Sequence, residues 1–183
     1  MLGRIYKGKM EQKVIIKKAI WAVVLTAVLV GLDQITKMLA VIKLKGQNPF
    51  VIIENVFELR YLENRGAAFG MLQGQRTYFI VFTVATLLIL GFIYLKKIPS
   101  TPRFRFLNGI CILFFAAAIG NFIDRVANGY VVDFFYFRLI DFPIFNVADI
   151  YATVSVALLI VLSLFYYKDE DFEQIFPPKK KEQ

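Results

Sequence analysis

The chain of 183 residues contains no histidine and a single cysteine, Cys111. Without histidine it can form neither a Ser-His-Asp triad nor a Cys-His pair, and it has no HExxH zinc-protease motif. One cysteine excludes an intrachain disulfide, a thiolate zinc site and a CxxC redox pair. Any chemistry must therefore come from carboxylates, lysine, arginine, amides, hydroxyls or the backbone.

Charged residues are also sparse, at 20% of the chain, whereas hydrophobic residues reach 58% and the mean hydropathy is +0.59. This apolar content exceeds that of ordinary soluble domains, so we expect burial in lipid. Four apolar runs lie at about 19–40, 78–94, 106–122 and 147–167. Each run is close to the length that crosses a bilayer, and backbone groups in lipid must be satisfied internally. The sequence therefore predicts four transmembrane helices.

The formal net charge of +8 has an uneven distribution that predicts orientation. Lysine and arginine concentrate in residues 1–18, in the connection between the second and third runs, and in the tail. Cytoplasmic segments carry this excess, so we expect cytoplasmic termini and extracytoplasmic loops at 41–77 and 123–146. The predicted organisation is a basic cytoplasmic arm (1–18), one four-helix membrane domain (19–167) and a polar cytoplasmic tail (168–183) that is solvated and partly disordered. The charge is explained by topology and indicates no nucleic-acid partner.

The first extracytoplasmic loop shows an alternating pattern. Phe57, Leu59 and Tyr61 alternate with Glu58 and Arg60, which is typical of a half-buried strand. We therefore expect a small extracytoplasmic β-sheet on the outer membrane face. The predicted fold class is an all-α membrane core of four transmembrane helices with this sheet and a loop or helix segment beside it.

The unusual polar residues gather near the extracytoplasmic ends of the runs, and several have a purely structural alternative. Asp33 and Lys37, one helical turn apart, could form a structural ion pair. Asn146 with Asp149 three residues later has the pattern of a capping box. A third group closes the third run just before Asn128-Gly129, a pattern typical of a helix end; it comprises Asn121, Asp124 and Arg125.

Asp133 is harder to explain structurally, because it lies in an apolar run between Val131 and Phe137. A carboxylate there is poorly solvated, which predicts a raised pKa. Two neighbouring carboxylates at a membrane boundary can divide general acid and base roles, one holding a proton while the other activates water. None of the three serines lies in a predicted extracytoplasmic loop, so a Ser-Lys peptidase has no nucleophile there.

Five motifs carry a resemblance to a known family. They are Asp33-Gln34-Ile35-Thr36-Lys37, Asn64-Arg65-Gly66-Ala67-Ala68-Phe69-Gly70, Gly120-Asn121-Phe122-Ile123-Asp124-Arg125, Val132-Asp133-Phe134 and Phe142-Pro143-Ile144-Phe145-Asn146-Val147-Ala148-Asp149. In this order, over about residues 20–167, they resemble the lipoprotein signal peptidase (signal peptidase II) family of bacteria. Ala116-Ala117-Ala118 departs from the glycine-richer pattern expected there, which affects helix packing and not the chemistry.

The resemblance implies an aspartic endopeptidase in the bacterial cytoplasmic membrane, with its active site at the extracytoplasmic face. Such enzymes remove the signal peptide from prolipoproteins that carry diacylglyceryl on a cysteine, cutting immediately before that cysteine. It implies Asp133 and Asp149 as the catalytic pair, with no metal or cofactor. Substrate-binding residues would be Asn64, Gly66, Asn121, Arg125 and Asn146, and supporting residues Asp33, Lys37 and Asp124. The expected partners are a lipidated prolipoprotein and membrane lipid, with no nucleic acid, and the expected state is a monomer.

Two other classes compete with this interpretation. A metal-dependent phospholipid head-group transferase would also use carboxylates, but paired DxxD-type ligands are missing. An ion-coupled transporter could be built around Asp33, Asp124 and Asp149. It would need polar residues deep in several spans, and the middle of every predicted helix is apolar.

Overall fold

The computed structural model describes residues 2–66 and 74–177, with side chains from residue 12 onward. Its long helices are α1 (Leu2–Leu44), α2 (Arg76–Lys96), α3 (Arg105–Ala127) and α4 (Val147–Phe165). Within the described residues, four helices are long and apolar enough to cross a membrane; in α1 this part is Gln12–Leu44. The prediction of four membrane helices is therefore confirmed. Residues 67–70 of the motif that begins at Asn64 lie outside the described part.

Helices α1 and α3 extend well beyond their apolar runs, and α2 by two residues at each end. α1 is continuous from Leu2, so the basic arm belongs to the same helix as the first span. α3 continues to Ala127, five residues beyond the predicted end at 122. Polar side chains near that end lower the local hydropathy without interrupting backbone hydrogen bonds. α3 ends where the pattern Asn128-Gly129 predicts a helix end, with Asn128 as its C-cap and Gly129 at φ +81°.

A three-stranded antiparallel sheet lies beside the bundle. Its strands β1 (Phe50–Ile53), β2 (Phe57–Asn64) and β3 (Val131–Phe137) are arranged in that order. β2 confirms the strand predicted from the alternating pattern. β3 was not predicted, because its first four residues are all buried and the run therefore lacks a polar face. Two 3-10 turns (Pro102–Phe104 and Arg138–Ile140) complete the connections.

A bulge in β2 sets which side chains meet across the sheet. Leu59 pairs with Phe135, but Leu62 pairs with Asp133, so three steps along β2 match two along β3. An extra residue reverses the facing of every later side chain in its strand. Asn64, two residues after Leu62, consequently lies on the same face as Asp133.

Two apolar clusters enclose the polar part of the bundle. One packs the C-terminal end of α1 against the sheet and contains Ala40, Leu44, Val132 and Phe134. The other lies toward the opposite end of the bundle and comprises Ala22, Tyr94, Ile98, Phe104, Cys111, Ile112, Tyr167 and Ile175. Many large apolar side chains of the four helices remain exposed, as surfaces that face lipid do. The polar motifs lie between these clusters.

The C-terminal segment is more ordered than the expected tail. Residues Asp169–Ile175 form a short helix, α5. Arg103 Nη2 lies 2.6 Å from Asp171 Oδ2, and Ile175 is buried in the second cluster. The expectation of partial disorder is wrong for this segment, because one ion pair and one apolar anchor hold it against the bundle. Most of its side chains are exposed, as expected of a solvated tail.

Candidate active site

Asp133 is buried in β3, with 1% of its surface exposed, and both of its carboxyl oxygens accept hydrogen bonds. Asn64 Nδ2 donates to Oδ2 at 2.8 Å, and Asn146 Nδ2 donates to Oδ1 at 2.6 Å. Burial, and next the negative charge of Asp149, raise the pKa of Asp133 to about 7, although the two amide donors act in the lowering direction. The carboxyl group can therefore hold a proton near neutral pH.

Asp149 lies in the first turn of α4 and is coupled to Asn146. The capping box predicted from the sequence is present: Asn146 Oδ1 accepts from Asp149 N, and Asp149 Oδ2 accepts from Asn146 N, both at 3.1 Å. Asn121 Nδ2 donates to the other carboxyl oxygen, Asp149 Oδ1, at 2.9 Å. Because the Asn146 side chain also donates to Asp133, this one residue caps α4 and contacts both carboxylates, that of Asp149 through its backbone amide and that of Asp133 through its side chain.

A buried lysine connects this pair to two further carboxylates. Lys37 Nζ lies 2.9 Å from Asp33 Oδ2 and 3.1 Å from Asp124 Oδ2, and it donates to Asn121 Oδ1 at 2.9 Å. The predicted pair of Asp33 and Lys37 is therefore present, with a third member. Buried charges persist when they are paired and hydrogen-bonded, and this triad meets that condition.

The triad also holds the backbone next to both aspartates. Asp33 Oδ1 accepts a hydrogen bond of 2.9 Å from the Ala148 amide, directly before Asp149. Asp124 Oδ2 accepts one of 3.1 Å from the Val132 amide, directly before Asp133. Each supporting carboxylate thus fixes the backbone immediately before one member of the pair.

Arg125 and Asn64 meet at Gly66. Asn64 Oδ1 accepts from the Gly66 amide at 3.0 Å, and Arg125 Nη2 donates to the Gly66 carbonyl at 3.1 Å. The Arg125 guanidinium also lies 4.5 Å from the centre of the Phe79 ring. These contacts join β2, α3 and the start of α2.

The site opens into a cavity of about 870 Å³. Its polar lining includes Asn64, Gly66, Asn121, Arg125, Asp133 and Asp149, and its apolar lining includes Phe142, Ile144, Phe145, Ile150 and Val154. Asn146, expected to bind substrate, is instead fully buried behind this wall and contacts both aspartates. The three supporting residues are also buried. No cluster of three or more potential metal-ligating side chains occurs in the ranges that the structure describes.

Sequence reasoning missed two residues that complete the polar network and one aromatic contact. Gln34 Nε2 donates to Asp124 Oδ1 at 3.0 Å and to the Gly120 carbonyl at 3.2 Å. A Cβ on Gly120 would lie 2.6 Å from Asp33 Oδ2, so this position has room for no side chain. Gln34 and Gly120 both lie inside the five sequence motifs, and this is the signal that could have identified them. Phe79 gave no signal, because it is one of many aromatic residues in an apolar run.

These features define a class of protein: a multi-pass membrane protein with two carboxylates opening into one cavity at the end of its helix bundle. Comparisons with known proteins sharpen the class. The family model described as signal peptidase (SPase) II matches residues 25–165. The chain belongs to the lipoprotein signal peptidase (signal peptidase II) family, and it is therefore a membrane protease.

Individual relatives agree with this membership. A lipoprotein signal peptidase of Streptococcus thermophilus (strain CNRZ 1066) is 43% identical over 143 residues, covering 78% of this chain and 90% of the relative. One from Caldanaerobacter subterraneus subsp. tengcongensis is 42% identical over 145 residues, covering 79% and 96%. A solved structure described as a bacterial membrane enzyme superposes with a TM-score of 0.71 at 31% identity, covering 88% of this chain and 94% of its own.

Proposed function

We propose that this chain is an aspartic endopeptidase that removes the signal peptide from diacylglyceryl-modified prolipoproteins, cutting immediately before the lipidated cysteine. One observation carries the proposal: Asp133 and Asp149 both line one cavity and are bridged by Asn146. Two coupled carboxylates with different environments can divide the acid and base roles of amide hydrolysis.

The raised pKa of Asp133 favours this residue as the holder of the shared proton. Asp149 then acts as the base and takes a proton from water, whose oxygen attacks the scissile carbonyl carbon. Asp133 gives its proton to the carbonyl oxygen, and a gem-diol forms. On collapse, Asp133 regains its proton from a gem-diol hydroxyl and Asp149 passes its proton to the leaving nitrogen. The products are a peptide carboxylic acid and a free amine on the lipidated cysteine.

The remaining polar residues of the cavity have binding roles in this proposal. Asn64, Gly66, Asn121 and Arg125 line the cavity beside the pair, where backbone and side-chain donors can hold an extended peptide. Asn146, Asp33, Lys37 and Asp124 support the pair from behind. The apolar lining suits a substrate whose lipid chains stay in the bilayer.

We also propose an orientation and an assembly state. The basic arm (1–18) and the tail (168–183) are assigned to the cytoplasm, and the cavity to the extracytoplasmic face, by the excess of lysine and arginine at the opposite ends of the helices. The domain at 19–167 acts as a monomer without nucleic acid. Nothing in the catalytic scheme requires a second copy.

Cleavage-site mapping tests this function. The purified enzyme in detergent is given a synthetic prolipoprotein with diacylglyceryl on its cysteine, and the same peptide with an unmodified cysteine. We expect mass spectrometry to show a single cut before the lipidated cysteine, no cut in the unmodified peptide, and the same rate with EDTA. A cut elsewhere contradicts the proposed bond specificity, equal cleavage of both peptides contradicts the lipid requirement, and loss of activity with EDTA favours metal chemistry.

A further inference from the structure

Arg125 has an aromatic support that the proposed mechanism does not use. Its guanidinium lies 4.5 Å from the centre of the Phe79 ring, and Phe79 belongs to the first turn of α2. Phe79 does not line the cavity, whereas Arg125 does. A ring face attracts a guanidinium electrostatically, most strongly where water is excluded.

Arg125 depends on such support, because no carboxylate forms a salt bridge with it among the described residues. Arg125 Nη2 donates a hydrogen bond to the Gly66 carbonyl. An arginine offers five N–H donors in a rigid plane. Within residues 2–66 and 74–177 only the hydrogen bond to Gly66 uses one of them, so the others can reach a ligand in the cavity. The orientation of that plane determines which donors the ligand meets.

The contacts from Arg76 reach the backbone of Arg125 and Val126, not the Arg125 side chain. Arg76 Nε donates to the Arg125 carbonyl at 2.7 Å, and Arg76 Nη2 donates to the Val126 carbonyl at 2.6 Å. These bonds attach the beginning of α2 to the end of α3. They bring the Phe79 ring against the Arg125 guanidinium.

We propose that Phe79 is a positioning residue that orients Arg125 for substrate binding through its ring face. This role rests on the proposed function, since the substrate is the lipidated prolipoprotein. It requires the flat ring and not merely apolar bulk. Phe79→Tyr keeps the ring face, whereas Phe79→Leu and Phe79→Met keep apolar volume without it.

Substrate affinity is the property to measure, and it can be separated from cleavage. All variants are made in the Asp149→Asn background, and the dissociation constant of the uncleaved lipidated prolipoprotein is determined in detergent. We expect Phe79→Leu to weaken binding by roughly tenfold, as for a desolvated cation–π contact, and Phe79→Tyr to bind like the parent. Phe82→Leu is the matched control, because Phe82 lies one turn later and stacks on Tyr78.

A second measurement tests whether Phe79 acts through Arg125. With Arg125→Ala already present, Phe79→Leu should cause no further loss of affinity, because nothing remains for the ring to orient. Phe79→Met answers the same question if Phe79→Leu does not fold. Unchanged affinity in the ring-less variants, or an equal loss with and without Arg125, contradicts the positioning role. Cleavage of the substrate by the Asp149→Asn enzyme would contradict the proposed mechanism. The positioning role of Phe79 would still be tested by the dissociation constants.

Discussion

Asn146 donates a hydrogen bond of 2.6 Å to the Asp133 carboxylate, and this contact joins the beginning of α4 to the sheet. The same asparagine forms a capping box with Asp149. Its side-chain oxygen therefore caps α4, while its side-chain nitrogen donates to Asp133. The structural and functional explanations of this residue can be separated by substitution.

The substitution Asn146→Ser separates the capping role of this residue from its contact with Asp133. Serine is a good N-cap and can still accept from Asp149 N, but it is too short to replace the amide donor to Asp133. We expect a smaller loss of thermal stability in detergent than for Asn146→Ala, because the helix cap is kept. Cleavage should fall by about tenfold, the effect of one lost hydrogen bond to the buried Asp133. Asn146→Ala should lower both stability and cleavage. Wild-type cleavage by Asn146→Ser would show that the capping role alone explains the residue.

The pKa of Asp133 predicts the alkaline limit of cleavage. Burial and the charge of Asp149 raise this pKa to about 7, and the mechanism requires the protonated form. Cleavage should therefore fall as pH rises through about 7. Asn146→Ser should move this limit upward, because the lost amide donor normally lowers the pKa. A rate profile that stays flat to pH 9 contradicts the assignment.

The same pKa gives an independent stability test. The pKa of the folded Asp133 carboxyl is higher than the ordinary aspartate pKa of 3.8, so the folded state binds more protons between 3.8 and about 7. This contribution to stability is present below 3.8 and is lost as pH rises through about 7. Asp133→Asn cannot titrate, so its unfolding temperature should rise relative to wild type from pH 5 to pH 8. A constant difference would contradict the raised pKa.

Lys37 should be essential for folding stability. Lys37→Met leaves Asp33 and Asp124 buried without a counter-charge, which should destabilise the fold by about 3–5 kcal/mol. Adding Asp33→Asn should recover part of this loss, since one buried charge is removed. Lys45→Met is the control: its partner Glu63 is also a carboxylate, but Lys45 is exposed, so unfolding should stay near wild type. Equal unfolding temperatures for both lysine variants would contradict the account.

Gly120 offers a steric test of how closely α1 and α3 approach. A Cβ there would lie 2.6 Å from Asp33 Oδ2, so Gly120→Ala should push this carboxylate aside and cost about 1–3 kcal/mol. Gly109→Ala lies in the same helix and meets nothing within 4 Å. Thermal unfolding should show a loss for the first variant and none for the second. Equal unfolding temperatures for the Gly120→Ala and Gly109→Ala variants would contradict this close approach of α1 and α3.

Composition and periodicity predicted the membrane helices and β2, because both signals depend on local burial. They could not predict β3, whose run from Val131 to Phe134 is buried on both faces. They could not predict the bulge either, and the facing of Asn64 toward Asp133 depends on it. Local pattern favoured a partly disordered tail, whereas a distant partner, Arg103, holds α5 in place.

The candidate site was accessible from sequence mainly through motifs. Each polar pair also had a local explanation, and the structure shows that the local contacts exist: Asp33 binds Lys37, and Asn146 caps α4. Spacing along one helix cannot reveal that each local pair has a third partner on another helix or strand. Asp124 contacts Lys37, and Asp133 contacts Asn146, only once the chain is folded.

The most direct test of the account is cleavage of the lipidated prolipoprotein by Asp133→Asn and Asp149→Asn enzymes. Both substitutions keep size and remove the titrating group, and Asp169→Asn, on the exposed first turn of α5, is the matched control. With folding verified by thermal unfolding, we predict a loss of at least about a thousandfold in each dyad variant, and wild-type cleavage by the control. Retained cleavage in either folded dyad variant would contradict the Asp-Asp mechanism.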